Sequence, residues 1–237
     1  MAKPNDEARF KVMHLLPNAL TTCALCAGFV SIALSIQGIY DAAAQSIFIA
    51  MIADGLDGRV ARLTETTSAF GKQYDSLSDM VSFGVAPAVM LLTGPFAQWG
   101  HLGWSISFIY AAFAAIRLAK FNITDTVHAD FIGLPSPSAA ALVASILWVL
   151  TGHPLTQASS VALGVLALFL GSLMVSPVIY PSFKCFDFRK RYTKFLICLF
   201  IVVCAAVVIN PPYVLAGLFA IYVLWGPIWM GVKACAR

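Results

Sequence analysis

Ala42-Ala43-Ala44-Gln45-Ser46-Ile47-Phe48-Ile49-Ala50-Met51-Ile52-Ala53 is an uncharged run that passes directly into Asp54-Gly55-Leu56-Asp57-Gly58-Arg59-Val60-Ala61-Arg62. After eight residues come Gly71-Lys72-Gln73-Tyr74-Asp75-Ser76-Leu77-Ser78-Asp79, and then a second uncharged run, Met80–Thr93. A helix needs roughly 20 residues to cross about 30 Å of hydrocarbon at about 1.5 Å per residue. Neither run is long enough alone. Each becomes a span only if the charged segment between them, Asp54 to Asp79, completes it. Charge inside a span is costly and marks function by default.

The rest of the chain says which kind of protein tolerates such a segment. Of the 237 residues, 60% are hydrophobic and 11% charged. Ordinary soluble domains are about 45–50% apolar and about 25% charged. This composition excludes a soluble globule, a disordered chain and a nucleic-acid-binding domain. Lipid-facing strands would alternate in ten-residue segments, and none do. The expected fold is all-α and polytopic, with about eight transmembrane helices near residues 18–37, 41–63, 70–93, 102–122, 135–152, 157–180, 193–209 and 213–233. Residues 1–16 read as a short interfacial helix, after which Pro17 opens the first span. With eight spans, all 15 Lys and Arg fall on the side of the termini. None falls at 38–41, 94–101, 152–156 or 210–212. The positive-inside rule therefore puts both termini in the cytoplasm. The six cysteines, of which Cys23, Cys26, Cys198 and Cys204 lie within apolar segments, read as small structural residues.

The charged segment is patterned. On a helix, Asp54, Asp57, Gly58, Ala61 and Arg62 share one face, and Gly71, Asp75 and Asp79 form a stripe on the next. A short loop makes the two helices antiparallel neighbours, so the carboxylates converge. Arg59, Arg62 and Lys72 cannot reach every oxygen. Oxygen-only ligands with no His or Cys suit Mg²⁺ or Mn²⁺, and two such ions balance four negative charges. The small residues Gly58, Ala61 and Gly71 leave room for a ligand, and the whole suits a two-metal clamp on a diphosphate. A lone acid near a helix end is usually a cap or a solvated charge. Four acids on facing stripes are not explained that way.

The spacing D-x-x-D-G-x-x-A-R-x8-G-x-x-x-D-x-x-x-D resembles, at every fixed position, the signature of the CDP-alcohol phosphatidyltransferases. Three further stretches resemble the CDP-diacylglycerol–serine branch of that family. They are Leu16-Pro17-Asn18-Ala19-Leu20-Thr21 with Gly28, Arg117-Leu118-Ala119-Lys120-Phe121-Asn122, and Phe131-Ile132-Gly133-Leu134-Pro135-Ser136-Pro137. The resemblance implies a CDP-alcohol phosphatidyltransferase fold, with a six-helix catalytic core at 17–180 and a basic loop with two further helices at 181–237. It implies transfer of a phosphatidyl group from CDP-diacylglycerol to the hydroxyl of L-serine, releasing CMP. It further implies that Asp54, Asp57, Asp75 and Asp79 ligate metal, that Asp79 is also the catalytic base, and that Gly58, Ala61, Arg62 and Gly71 line the CDP-diacylglycerol pocket. A homodimer is implied in the same way, in a bacterial inner membrane with the site facing the cytoplasm.

Serine carries a carboxylate, and Arg117, Lys120 and Asn122 at the end of the fourth span are candidates to bind it. The competing reading of both cations is that they snorkel to the interface beside membrane lipid. Other acceptors with the same chemistry are glycerol phosphate, inositol phosphate or choline. From a different class, a cation or solute transporter would use the acids as its transport site, but such sites lie near the midplane of repeated, broken helices. Here the acids lie at one edge and no repeat is visible.

Overall fold

A computed structural model describes residues 4–64, 66, 68–123, 131–180 and 202–235. The described chain is helical: α1 (Pro4–Ile36), α2 (Tyr40–Leu63), α3 (Ala69–Asp79), a π-helical segment (Met80–Val85), α4 (Ala86–Thr93), α5 (His101–Ile123), α6 (Ser136–Leu150), α7 (Gln157–Val175) and α8 (Pro211–Cys235). Residues 202–209, the end of the expected seventh span, are helical as well. The rest of that span and the basic cluster at 184–194 lie outside the described residues. The only strands among the described residues are the two-residue β1 (Phe131–Ile132) and β2 (Ile179–Tyr180), paired antiparallel.

Among the described residues, five helical stretches are long and apolar enough to cross a membrane: Leu16–Ile36, Ala69–Thr93, His101–Ile123, Gln157–Val175 and Pro211–Met230. This is an integral membrane protein. Large apolar side chains such as Phe29, Trp104, Phe108 and Ile221 point outward, as lipid-facing residues do. The α2 helix has the length of a span but carries the charged segment at its end. The expected fifth span, 135–152, is shorter than the sequence suggests. With 15 residues, α6 is only about 22 Å long. Protein surrounds it, since α2, α4, α7 and α8 all pack on it, so the lipid thickness does not set its length.

The break expected between an interfacial helix at 1–16 and a first span is absent. The α1 helix runs through Pro17 without interruption. Proline removes one backbone donor and frees the carbonyl four residues back. Near the edge of the bilayer water can satisfy that group, so the helix continues.

Small residues bring α1, α2 and α6 together. Ala43, Ala50 and Asp57 recur every seventh residue on the buried side of α2. The Ser31 hydroxyl of α1 donates to the Ala43 carbonyl at 2.9 Å. On α6, Ala139, Ala140, Ala141 and Ala144 are fully buried. In lipid, close backbone packing of this kind replaces the hydrophobic drive that water would supply.

The third span is not one regular helix. Between α3 and α4 the Ala86 N–H reaches back five residues to Val81 O. Pro87, in the first turn of α4, cannot donate to Phe83. The Tyr110 hydroxyl of α5 donates to that carbonyl instead, at a long 3.4 Å. Across from this segment, Ser82 donates to Ala24 O at 3.0 Å. A Cβ on Gly28 would come within 2.8 Å of the Ser82 backbone. Glycine is therefore needed for α1 to lie against the π turn.

Candidate active site

The two acid-bearing faces meet. Ser68 caps α3, its Oγ accepting from Gly71 N at 2.9 Å, so the helix begins nearly two turns before Asp75. This fixes the phase of the stripe Gly71, Asp75, Asp79 toward α2. One carboxylate oxygen from each of Asp54, Asp57 and Asp75 lies within 4.8 Å of the other two. Asp54 is within hydrogen-bonding reach of Asp75 and of Asp79, one turn further along α3. All four expected carboxylates are thus brought together. Asp57 is the most buried, 4% exposed. Its second helix of support is α1: the Thr21 hydroxyl donates to Asp57 Oδ2 at 2.6 Å. Ser78 ties α3 to the same place, donating to the Thr21 carbonyl at 3.2 Å.

Three like-charged groups at this spacing repel unless something neutralises them. Oxygen-only donors at this spacing fit a hard divalent cation, and the cluster can hold one. The residues present therefore fit the Mg²⁺ or Mn²⁺ that the sequence leads one to expect.

Beside the acids opens a cleft of about 510 Å³, walled by the middle of α1, the end of α2 and the start of α3. All four residues expected for the nucleotide pocket, Gly58, Ala61, Arg62 and Gly71, line it, together with Asp57 and Asp75. They do not act alike. The space a Cβ would take at Gly58 is open. At Gly71 a Cβ would approach Ser68 Oγ to 3.1 Å and Asn18 Oδ1 to 3.5 Å. Gly58 leaves room for a ligand, whereas Gly71 lets α3 start close to α1. Pro17, Asn18, Thr21, Ser68 and Lys72 also line the cleft, and sequence reasoning assigned none of them to it. The Leu16–Thr21 stretch held the only signal.

Arg117, Lys120 and Asn122 are not in the cleft wall. Arg117 turns inward rather than snorkelling. Its charge bears on Asp79 and Asp54, and its Nη1 donates to Ser136 Oγ at 2.6 Å. Lys120 is exposed. Asn122 is held at the seam of α3 and α5: Oδ1 accepts from Ser76 at 3.1 Å, Nδ2 donates to Gln73 at 3.3 Å, and its carbonyl accepts from Lys72 Nζ at 3.3 Å. In the sequence Ser136 enters only as part of the Phe131–Pro137 stretch, with no role of its own. It is placed by Gly133, whose φ of 82° suits glycine. The Gly133 N–H donates to Val178 O and the Leu134 N–H to Leu173 O, so the 131–137 stretch is pinned to the end of α7.

With acids, cleft and inward arginine in place, likeness to known proteins is informative. Residues 14–176 match the CDP-alcohol phosphatidyltransferase family. The chain belongs to that family. A relative from Helicobacter pylori (strain J99), named CDP-diacylglycerol–serine O-phosphatidyltransferase, is 35% identical over 220 residues, 91% of each chain. A Methanocaldococcus jannaschii relative of the same name is 34% identical over 182 residues, 77% of this chain and 81% of its own. An archaetidylserine synthase from Methanothermobacter thermautotrophicus is 34% identical over 168 residues, 70% of this chain and 69% of its own. As a CDP-alcohol phosphatidyltransferase, the chain places its signature acids where α2 and α3 converge, and α8 lies beyond the family segment.

Proposed function

We propose that this chain transfers the phosphatidyl group of CDP-diacylglycerol to the hydroxyl of L-serine, giving phosphatidylserine and CMP. The observation that carries the reading is the meeting of Asp54, Asp57, Asp75 and Asp79 beside a cleft that Asp57 and Asp75 line together with Gly58, Ala61, Arg62 and Gly71. Relatives named for serine transfer, matched over most of the chain, support serine as acceptor. Bound Mg²⁺ or Mn²⁺, two per site, would neutralise the acids and the donor diphosphate.

The chain's own residues do the rest. Arg62 and Lys72 face the diphosphate from the cleft wall, and the open space at Gly58 admits the nucleotide. Thr21 holds Asp57 in one orientation. Asp79, on the side of the cluster away from the α2–α3 loop, takes the proton from the serine hydroxyl. The serine oxygen then bonds to the phosphorus bearing diacylglycerol, and the bond from that phosphorus to the CMP oxygen breaks. Such a base must lie about 2.6–3.2 Å from the hydroxyl oxygen. Arg117 and Lys120 bind the serine carboxylate. Asn122 contributes by closing the α3–α5 seam, since its amide is already engaged on both sides.

Eight spans with both termini in the cytoplasm put this site at the cytoplasmic face, in a bacterial inner membrane if the source is bacterial. The one-sided distribution of all 15 Lys and Arg supports that orientation. Residues 17–180 would form the catalytic core, supported by the family match at 14–176, with 181–237 appended and two copies associating as a homodimer. The test is purified protein with CDP-diacylglycerol, Mn²⁺ and a panel of alcohols, scored by lipid product and CMP. Phosphatidylserine from serine alone is expected. Preferential product from glycerol phosphate, inositol phosphate or choline would keep the chemistry and overturn the acceptor. No CMP release with any acceptor would overturn the reading.

A further inference from the structure

Lys72 and Asn122 are 50 residues apart in sequence and joined in the fold. Lys72 lines the cleft from the first turn of α3, while Asn122 stands in the last turn of α5, outside the cleft wall. The described part of α5 ends at Ile123, so the Asn122 carbonyl is among the four at a helix end that lack an intrahelical donor. The Lys72 ammonium supplies one at 3.3 Å, and a cation suits the negative end of a helix dipole. The Asn122 side chain fixes that carbonyl relative to α3. Its Oδ1 accepts from Ser76 at 3.1 Å and its Nδ2 donates to Gln73 Oε1 at 3.3 Å. Gln73 and Ser76 share one face of α3 by their i, i+3 spacing, so the amide clips the end of α5 across that face.

The nature of the anchor matters. A carbonyl is neutral, so it holds the ammonium in place without cancelling its charge. Among the described residues no carboxylate pairs with Lys72, although Asp57 and Asp75 line the same cleft. An ammonium has three donors. One goes to Asn122, and two remain for the oxygens of an anion. We propose that Asn122 is a positioning residue for the donor half of the site, holding Lys72 in the cleft wall with its charge open to the donor diphosphate. A lysine is otherwise a point charge on a flexible four-carbon stem, and ordering it before the ligand arrives lowers the entropy lost on binding. The inference rests on the reading of Lys72 as a contact of the diphosphate. It moves Asn122 from the serine pocket, where the sequence placed it, to the donor side.

The experiment is steady-state kinetics on the full-length protein in mixed micelles, varying CDP-diacylglycerol and serine separately, with unfolding temperature measured in parallel. Lys72→Met should raise the CDP-diacylglycerol KM about tenfold or more, the scale of a hydrogen bond to a charged group. Asn122→Ala should raise it about three- to tenfold. The serine KM should stay within about twofold in both. The start of α3 keeps its Ser68 cap and the 2.9 Å hydrogen bond of Tyr74 with Thr22 of α1, so the unfolding temperature should move little. In the double variant the donor KM should match that of Lys72→Met alone, because Asn122 acts through the ammonium. Asn122→Asp keeps the shape and the acceptor for Ser76 and sets a negative charge beside the ammonium. It should raise the donor KM as well, and it decides the question if Asn122→Ala does not fold. A merely structural Asn122 would add its effect to that of Lys72→Met, and that result overturns the inference. A rise confined to the serine KM also overturns it and returns Asn122 to the serine pocket. If Lys72→Met raises the donor KM and neither Asn122 variant does, only the role of Asn122 falls. If Lys72→Met leaves the donor KM unchanged, the diphosphate contact falls and this inference falls with it, while the lipid product formed from serine tests the proposed function separately.

Discussion

The two halves of α2 follow different rules. From Ala43 to Ala53 the helix buries alanines, Ile47 and Phe48 against its neighbours. From Asp54 to Arg62 the same helix brings Asp54 to the acid cluster and turns Asp57, Gly58, Ala61 and Arg62 toward a cleft. The first half is chosen for fit and tolerates little added volume. The second is chosen for chemistry and holds like charges together against their repulsion. Stability and activity are thus separated along one helix, and substitutions in the two halves should fail in different ways.

The sharpest test of that division is Asp54→Asn or Asp75→Asn. Each should abolish CMP release while the protein inserts and elutes as wild type, because removing one of several clustered charges relieves repulsion. Unfolding temperature in metal-free buffer should be unchanged or higher. A variant that fails to fold would break the comparison. Asp79→Asn comes next, with turnover lower by about 10²–10⁴ and CDP-diacylglycerol binding largely kept. Recovery to near the wild-type rate in a Mn²⁺ titration would leave Asp79 as a ligand and remove it as the base.

Thr21→Val keeps shape and removes the hydroxyl from Asp57. Groups that orient metal ligands typically matter by about 10–100-fold. The half-activating Mn²⁺ concentration should therefore rise by about that factor, with unfolding temperature little changed. At the apolar end, Ala44→Leu should show the opposite pattern. Overpacking costs about 1–3 kcal/mol, visible as a lower unfolding temperature, while activity per folded molecule remains near wild type. A selective loss of serine turnover in Ala44→Leu would show that the halves are not independent.

What could be read from sequence was what depends on spacing within one helix. Asp54 and Asp57, and Gly71, Asp75 and Asp79, share faces because 3.6 residues per turn puts them there. Their convergence followed from the short loop. What could not be read depends on which other helix arrives. Thr21 and Asn18 join the site only because α1 packs along α2, and Ser136 meets Arg117 across 19 residues. Pro17 suggested a helix boundary and proved to be inside α1, since the loss of one donor is tolerable at a bilayer edge. The π-helical turn before Pro87 was not foreseen within the expected span at 70–93; such turns often accompany functional sites.

The depth of the cleft has a kinetic consequence. Its α1 wall is formed by Pro17, Asn18 and Thr21, in the first turns of the stretch Leu16–Ile36 that can cross the bilayer. The diphosphate of a lipid donor lies at that same level, so the donor can enter sideways from its own leaflet with its acyl chains still in hydrocarbon. Encounter then takes place in two dimensions. The concentration that saturates the enzyme is the donor's mole fraction in the surface, and diluting the micelle or bilayer with inert lipid should slow the reaction even when the bulk amount of substrate is unchanged. Serine, arriving from water, should show no such surface dilution.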